Sequence, residues 1–261
     1  MKKILKFLIA TLLTVSVAGT VFAAKPTGVN RIKKEGVLRV GVKDDVPKFG
    51  FLNPQTKEYE GLEIDIAKII AKKIFGTDKN IEFVPINAKN RGPFLKKDKV
   101  DIVIATFTVT DERKNEFDFS DIYYTDSVGI MVKKASGITS VKDLEQKTVG
   151  VAQSALTKTA VKNEAIKEGV FLNTLEFPSY PSLKEALDSG EIDAFSVDQA
   201  ILLGYVDDSV TILPERFAEQ PYGIAIKKDN TTVTKLVNEV IHELVQSGEL
   251  DNLLIKNGLK L

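Results

Sequence analysis

Arg113 is a lone arginine just past a threonine-rich run in TFTVTDERKNEFDFSDIYY, residues 106–124. A guanidinium is a planar fork that takes a carboxylate through two parallel hydrogen bonds. Thr106 and Thr108, at the end of the preceding strand, add hydroxyl and backbone contacts to such a cradle. The competing reading is a surface arginine paired with Asp111 or Glu112. Asp198 closes the apolar run IDAFSVD. It is either an anion offered to a bound cation or a helix N-cap for the residues 199–205 that follow. Lys43, in VGVKDD, follows a strand end. Arg91, in NAKNRGP, stands near the start of a short helix, where the helix dipole favours an anion. The alternative for each is a solvated surface cation. Ser154 to Thr157 begin another helix after a strand, with backbone N–H groups free for a carboxylate. This is charge-matching chemistry. One histidine, His242, and no cysteine leave no transition-metal cluster, thiolate site or disulfide. No cleft residue pairs a nucleophile with a base. His242, beside Glu243, reads as a solvated helix residue. Asp44-Asp45 and Asp207-Asp208 read as exposed turn charges.

Groups like these need strands that end at a common place, because ligands of open α/β sheets bind outside the carboxyl ends of the strands. Residues 37–42 alternate and are β-branched, which predicts a strand. Residues 61–75 put Leu62, Ile66, Ile69, Ile70 and Ile74 on one helical face. Residues 81–86 form a second strand, 91–97 a short helix with Pro93 in its first turn, and 100–108 a third, nearly all-apolar strand. The pattern restarts: strand 148–152, helix 156–168, strand 171–177, helix 182–188, strand 192–197. PFLKKDKVDIVIAT (93–106) and EALDSGEIDAFSVD (185–198) echo one another, as two similar α/β units would. The apolar segments 127–133 and 222–227 flank the second unit. If both cross between lobes, the second lobe is inserted into the first, and a final helix from 233 returns to lobe one. A cleft between two lobes is a preferred site for a small ligand.

Residues 1–23 carry Lys2, Lys3 and Lys6, an apolar stretch and small residues before Ala23, the pattern of a cleavable export signal. No later run is apolar enough to span a bilayer. The chain has 36 basic and 36 acidic residues, and loss of three lysines with the signal leaves it slightly acidic, without the footprint of a nucleic-acid binder. With no cysteine to carry a lipid anchor, retention behind an outer membrane is expected, which places the protein in the periplasm. Roughly 235 mature residues exceed one ordinary core and predict two lobes.

GLEIDIAKIIAKKI (61–74) resembles the signature of the family-3 extracellular solute-binding proteins of ABC importers, and TVTDERKNEFDFSDIYYTDSVGI (108–130) is similar to that family's second landmark. VGVKDDVP, NAKNRGPFL, IATFTVTDERK, GVAQSALTK, DAFSVDQAILLGYVDD and QPYGIAIKK together resemble the aspartate/glutamate-binding subgroup. The resemblance implies an α/β, two-lobed periplasmic binding protein fold of type II. Two hinge strands would join lobe one (24–128 and 224–261) to lobe two (129–223), with a ligand cleft between them. It implies uptake of an acidic amino acid through partner permease and ATPase chains, by a monomer without cofactor or catalysis. Arg113 with Thr106 and Thr108 would then hold the α-carboxylate, and Asp198 the α-ammonium. Arg91 and Lys43 would meet the side-chain carboxylate, and Ser154 and Thr157 would close from lobe two. Tyr222, at the second crossover, either reaches the ligand or packs in the hinge. Leu156 departs from the subgroup, where threonine is usual. Alternatives are another polar amino acid such as glutamine or cystine, an enzyme such as a dehydratase on the same scaffold, or a sensory domain.

Overall fold

The alternation in LRVGV becomes Leu38–Val42, which sits between two parallel neighbours in a five-stranded sheet. The computed structural model describes residues 27–260; the export signal expected at 1–23 lies outside them. The sheet runs in the order Ile81–Pro85, Leu38–Val42, Ile102–Val103, Ala225–Lys227, Phe117–Phe119. Ala225–Lys227 is antiparallel to both its neighbours. The second sheet repeats this plan as Asn173–Phe177, Thr148–Ala152, Ala194–Asp198, Tyr124–Lys133, Val210–Ile212, with Phe217–Tyr222 also on Tyr124–Lys133. Here too the first three strands are parallel and the fourth antiparallel. The echo seen in the sequence is therefore an echo of topology. It extends to a shared glycine, Gly41 in LRVGV and Gly150 in TVGVA. A Cβ on Gly41 would stand 2.8 Å from Ile86 Cδ1, and one on Gly150 2.4 Å from Ile192 Cδ1. Each sheet thus packs the residue leading into its third strand, or following its edge strand, against bare backbone.

Helix Leu62–Phe75 buries Leu62, Ile64, Ile66, Ala67, Ile70, Ala71 and Ile74, each aliphatic side chain contributing about 1.5–3 kcal/mol of transfer free energy. Helix Thr231–Gln246 buries Val233, Val237, Val240, Ile241 and Leu244 and packs on Leu62–Phe75 and on Gly28–Glu35. The C-terminal chain thus returns to the first sheet.

Two expected strands are cut short for physical reasons. The third strand, expected over 100–108, forms a ladder only at Ile102–Val103, with one further bridge from Thr108 to Tyr222. At Thr106 the backbone enters the left-handed region (φ +44°) and leaves the ladder. The segment 222–227 divides into Phe217–Tyr222 on the second sheet and Ala225–Lys227 on the first. The break is at Gly223, where a Cβ would meet Val109 Cγ2 at 2.7 Å. Helices Gly28–Glu35, Asp111–Glu116 and Glu249–Lys256 and the small sheet Asp45–Val46, Gly50–Leu52, Tyr59–Glu60 were not anticipated.

Candidate functional site

The first-lobe wall is set by one glycine. Gly61 has φ +121°, and a Cβ there would stand 2.2 Å from the carbonyl oxygen of Phe49. Only glycine lets the chain enter helix Leu62–Phe75 at this angle, and the entry aims Glu63 inward. Glu63 is fully buried. Its Oε1 accepts from the Thr106 N–H at 2.6 Å and from the Tyr123 hydroxyl at 2.5 Å. Thr106 is thereby pinned in its left-handed conformation. Its carbonyl accepts from Arg91 Nη1 at 3.0 Å, as does that of Ala105 at 2.8 Å.

Arg91 is 4% exposed and lies over the Phe107 ring at 4.0 Å, and its Nε has no partner. It is not a surface cation. Nor is Arg113 paired with Asp111 or Glu112: its Nη1 donates to the Thr108 carbonyl at 2.7 Å, and it lies 4.7 Å from the Phe107 ring centre. Burial, and next the neighbouring charge of Arg91, lower the Arg113 pKa. The site therefore concentrates positive charge around one phenylalanine ring.

Across the cleft, Asp198 ends the strand Ala194–Asp198 and is 6% exposed. It occupies the N-cap position of the next helix but makes no capping bond. Its carboxylate accepts from the Tyr222 hydroxyl instead. Burial pushes its pKa up to about 7, the Tyr222 bond opposing and the charge of Asp126 adding to the rise. Tyr222 is fully buried and edge-on to Phe49. Gln220, on the same crossing strand, accepts from Thr108 Oγ1 at 2.7 Å and donates to the Ala218 carbonyl at 2.9 Å.

Between these walls lies a narrow enclosed volume of about 10 Å³ lined by Arg91, Thr106, Thr108, Ala155, Leu156, Thr157, Tyr180, Val197, Asp198 and Gln220. Five of the residues singled out in the sequence meet there: Arg91, Thr106, Thr108, Thr157 and Asp198. Arg113 and Ser154 instead line an outer recess beside it, shared with Arg91 and Phe107. Tyr222 stands one contact behind, on Asp198. So does Lys43, 2% exposed, which lies 4.6 Å from the centre of the Tyr180 ring and pairs with Asp45 Oδ1 at 2.8 Å. Burial lowers the Lys43 pKa, with Asp45 opposing. Asp45, expected to be an exposed turn charge, is the buried lysine's counter-ion; Asp44 is exposed, as are Asp207 and Asp208. His242 is exposed and faces Asp121 at 2.8 Å.

Sequence reasoning missed Tyr180, Gln220 and Glu63. Tyr180 starts a helix after the strand Asn173–Phe177, so the strand-end rule that found Asp198 also points to it. Gln220 and Glu63 carry no such signal. The lobes also touch directly. The Tyr205 hydroxyl donates to the Asp45 carbonyl, and Pro47 packs on Gly204, where a Cβ would lie 3.0 Å from the ring. Among the described residues no cluster of three or more His, Asp or Glu side chains could hold a metal ion.

The profile of the bacterial extracellular solute-binding proteins, family 3, matches residues 38–259. A glutamine-binding protein from Geobacillus stearothermophilus is 41% identical over 208 residues, 78% of this chain and 78% of that protein. The ABC transporter glutamine-binding protein GlnH from Bacillus subtilis (strain 168) is 37% identical over 227 residues, 86% of this chain and 82% of that one. The crystal structure of a cysteine-binding protein from Campylobacter jejuni superposes with a TM-score of 0.80 at 30% identity, covering 88% of this chain and 92% of that chain.

Proposed function

The chain belongs to the bacterial extracellular solute-binding proteins of family 3, with the type II periplasmic binding protein fold, and from that premise we propose that its cargo is an acidic amino acid, aspartate or glutamate. Its general role is the amino-acid-binding component of an ABC importer. The observation that carries the finer reading is Arg91, buried against the enclosed volume with no carboxylate partner among the described residues. The other charges have answers. Asp45 neutralises Lys43. Asp198 would face an α-ammonium, and Arg113, from the recess beside the cavity, an α-carboxylate. Arg91 is the surplus, and a side-chain carboxylate is the group that satisfies a buried guanidinium best. Thr106 and Thr108 add polar contacts on the lobe-one side. Thr157 and Ser154 approach from lobe two, and Tyr222 orients Asp198.

Lobe closure delivers the amino acid to a permease. Lobe one, 24–128 with 224–261, captures it; lobe two, 129–223, swings over. The same proposal makes the protein a periplasmic monomer that binds rather than catalyses, as the binding proteins among its relatives do.

A second reading is glutamine, favoured by the two glutamine-binding relatives. The Thr106 and Tyr180 hydroxyls and the Gln220 amide would suit its side-chain amide. Calorimetric titration of the ligand-stripped chain with aspartate, glutamate, asparagine, glutamine, histidine, arginine and cystine decides. There is no tryptophan, so heat is a better reporter than intrinsic fluorescence. Tight binding of aspartate or glutamate alone is expected. Tight binding of glutamine alone would replace the acidic reading with the second, and no binding of any would sink both.

A further inference from the structure

Glu63 is a fully buried carboxyl that the binding scheme above does not use. Its Oε1 carries two hydrogen bonds, from the Thr106 N–H and the Tyr123 hydroxyl, while its Oε2 is buried without a partner. It stands one residue behind the enclosed volume: Glu63 holds the amide of Thr106, and Arg91 holds the carbonyl of the same residue. We propose that Glu63 is a specificity-setting counter-charge, which decides how strongly the cavity distinguishes an acidic from a neutral ligand side chain. This rests on the amino-acid-binding reading above.

The physical argument is a charge balance. A buried cation is costly unless compensated. With a neutral ligand side chain, two carboxylates offset the charge of Arg91, Asp198 first and then Glu63; the α-ammonium claims Asp198, which leaves Glu63. With an acidic side chain, the ligand supplies that charge, and two carboxylates now share one guanidinium. The less solvated one takes up a proton from the solvent, because like charges in a dry site raise each other's pKa. Glu63 is poised for this. Burial pushes its pKa up to about 7, against the opposing hydrogen bonds from Tyr123 and Thr106 and the charges of Lys43 and Arg91. These are the polar and charged groups that face it: Tyr123 from the chain before Tyr124–Lys133, Lys43 from beyond Leu38–Val42, and Arg91 from its helix. The ligand's own side-chain carboxyl, with an unperturbed pKa of about 4.3, stays ionised near neutrality. Asp198 also titrates near neutrality, but it meets the α-ammonium that both ligands share, so it cancels from their comparison.

The test is calorimetry with glutamate and glutamine at about pH 7, in two buffers of different ionisation heat, on the wild type and on Glu63→Gln. The substitution keeps an Oε1 acceptor for both hydrogen bonds and removes the charge. The wild type should take up more protons per glutamate than per glutamine. In Glu63→Gln that difference should vanish, and the Kd ratio should shift toward glutamate by about tenfold, the equivalent of about 1.4 kcal/mol. A merely structural role would weaken both ligands together and leave ratio and proton count unchanged, which would overturn the proposal. If the variant does not fold, the wild-type proton difference still decides: its absence overturns the proposal. A wild type that binds only glutamine would contradict the acidic reading, and Glu63→Gln should then gain glutamate binding; failure to gain it would overturn the counter-charge. A wild type that binds neither would overturn the proposed function and this inference with it.

Discussion

In the proposed binding scheme Arg91, Arg113 and Asp198 carry the site, and their neighbours define what each can do. Asp198 spends its carboxylate on the Tyr222 hydroxyl and none of it on the helix it precedes. Asp198→Asn is therefore expected to weaken amino-acid binding by about thirtyfold or more, since removing one partner of a buried charge pair costs about 2–5 kcal/mol; calorimetry reads it. Affinity for a neutral amino acid such as glutamine should rise with pH through about 7, as Asp198 ionises, whereas for glutamate the proton taken up by Glu63 opposes that rise. Stability should move the other way. Asp198 and Glu63 both titrate above their ordinary values of 3.8 and 4.5, at about 7. Folding then binds protons, so this contribution is complete below the ordinary carboxyl range and is lost as pH rises through about 7. The ligand-free protein should melt at a lower temperature at about pH 8 than at about pH 5, and Glu63→Gln should flatten that slope. The places of Arg113 beside the cavity and of Asp198 in its lining were legible because strand ends are visible in sequence. Glu63 was not: it sits in an amphipathic helix as an ordinary first-turn acid, and only the turn at Gly61 reveals that it points inward.

At the scale of elements, periodicity located the strands and long helices of both units to within a few residues. It failed where conformation is dictated by contacts distant in sequence. The apolar run 100–108 reads as one strand, yet Glu63 and Arg91 grip Thr106 in the left-handed region and end the ladder early. The run 222–227 reads as continuous, yet the chain changes sheet at Gly223. The small sheet over 45–60 has strands of two or three residues, too short for any pattern. Gly61 is the element most exposed to mutation. Gly61→Ala would place a methyl group against the Phe49 backbone in a region of φ and ψ reserved for glycine. A loss of more than about 3 kcal/mol is expected in urea unfolding. Gly150→Ala meets only the movable ends of Ile192 and Leu183, so a smaller loss of about 1–3 kcal/mol is expected.

For the whole molecule, two sheets of one plan face each other across a cavity, and each borrows its antiparallel fourth strand from the chain that passes between them. The two sheets of one plan were legible from a repeated α/β unit flanked by two apolar segments. The contacts that hold the lobes together were not, because Pro47, Gly204 and Tyr205 lie in loops and short turns without periodicity. These contacts lie outside the cavity lining, and in the proposed closure they would favour the closed form. Gly204→Val should hold the lobes apart at Pro47 and weaken binding by about tenfold to a hundredfold while leaving the ligand-free melting temperature nearly unchanged, and Tyr205→Phe should cost about 1 kcal/mol of affinity. The most direct measurement is a crystal structure of the mature chain grown with glutamate. The α-carboxylate should lie on Arg113, the α-ammonium on Asp198 and the side-chain carboxylate on Arg91, with Glu63 still behind Thr106. A side chain turned away from Arg91, or glutamate seated outside the space between the lobes, would contradict the account.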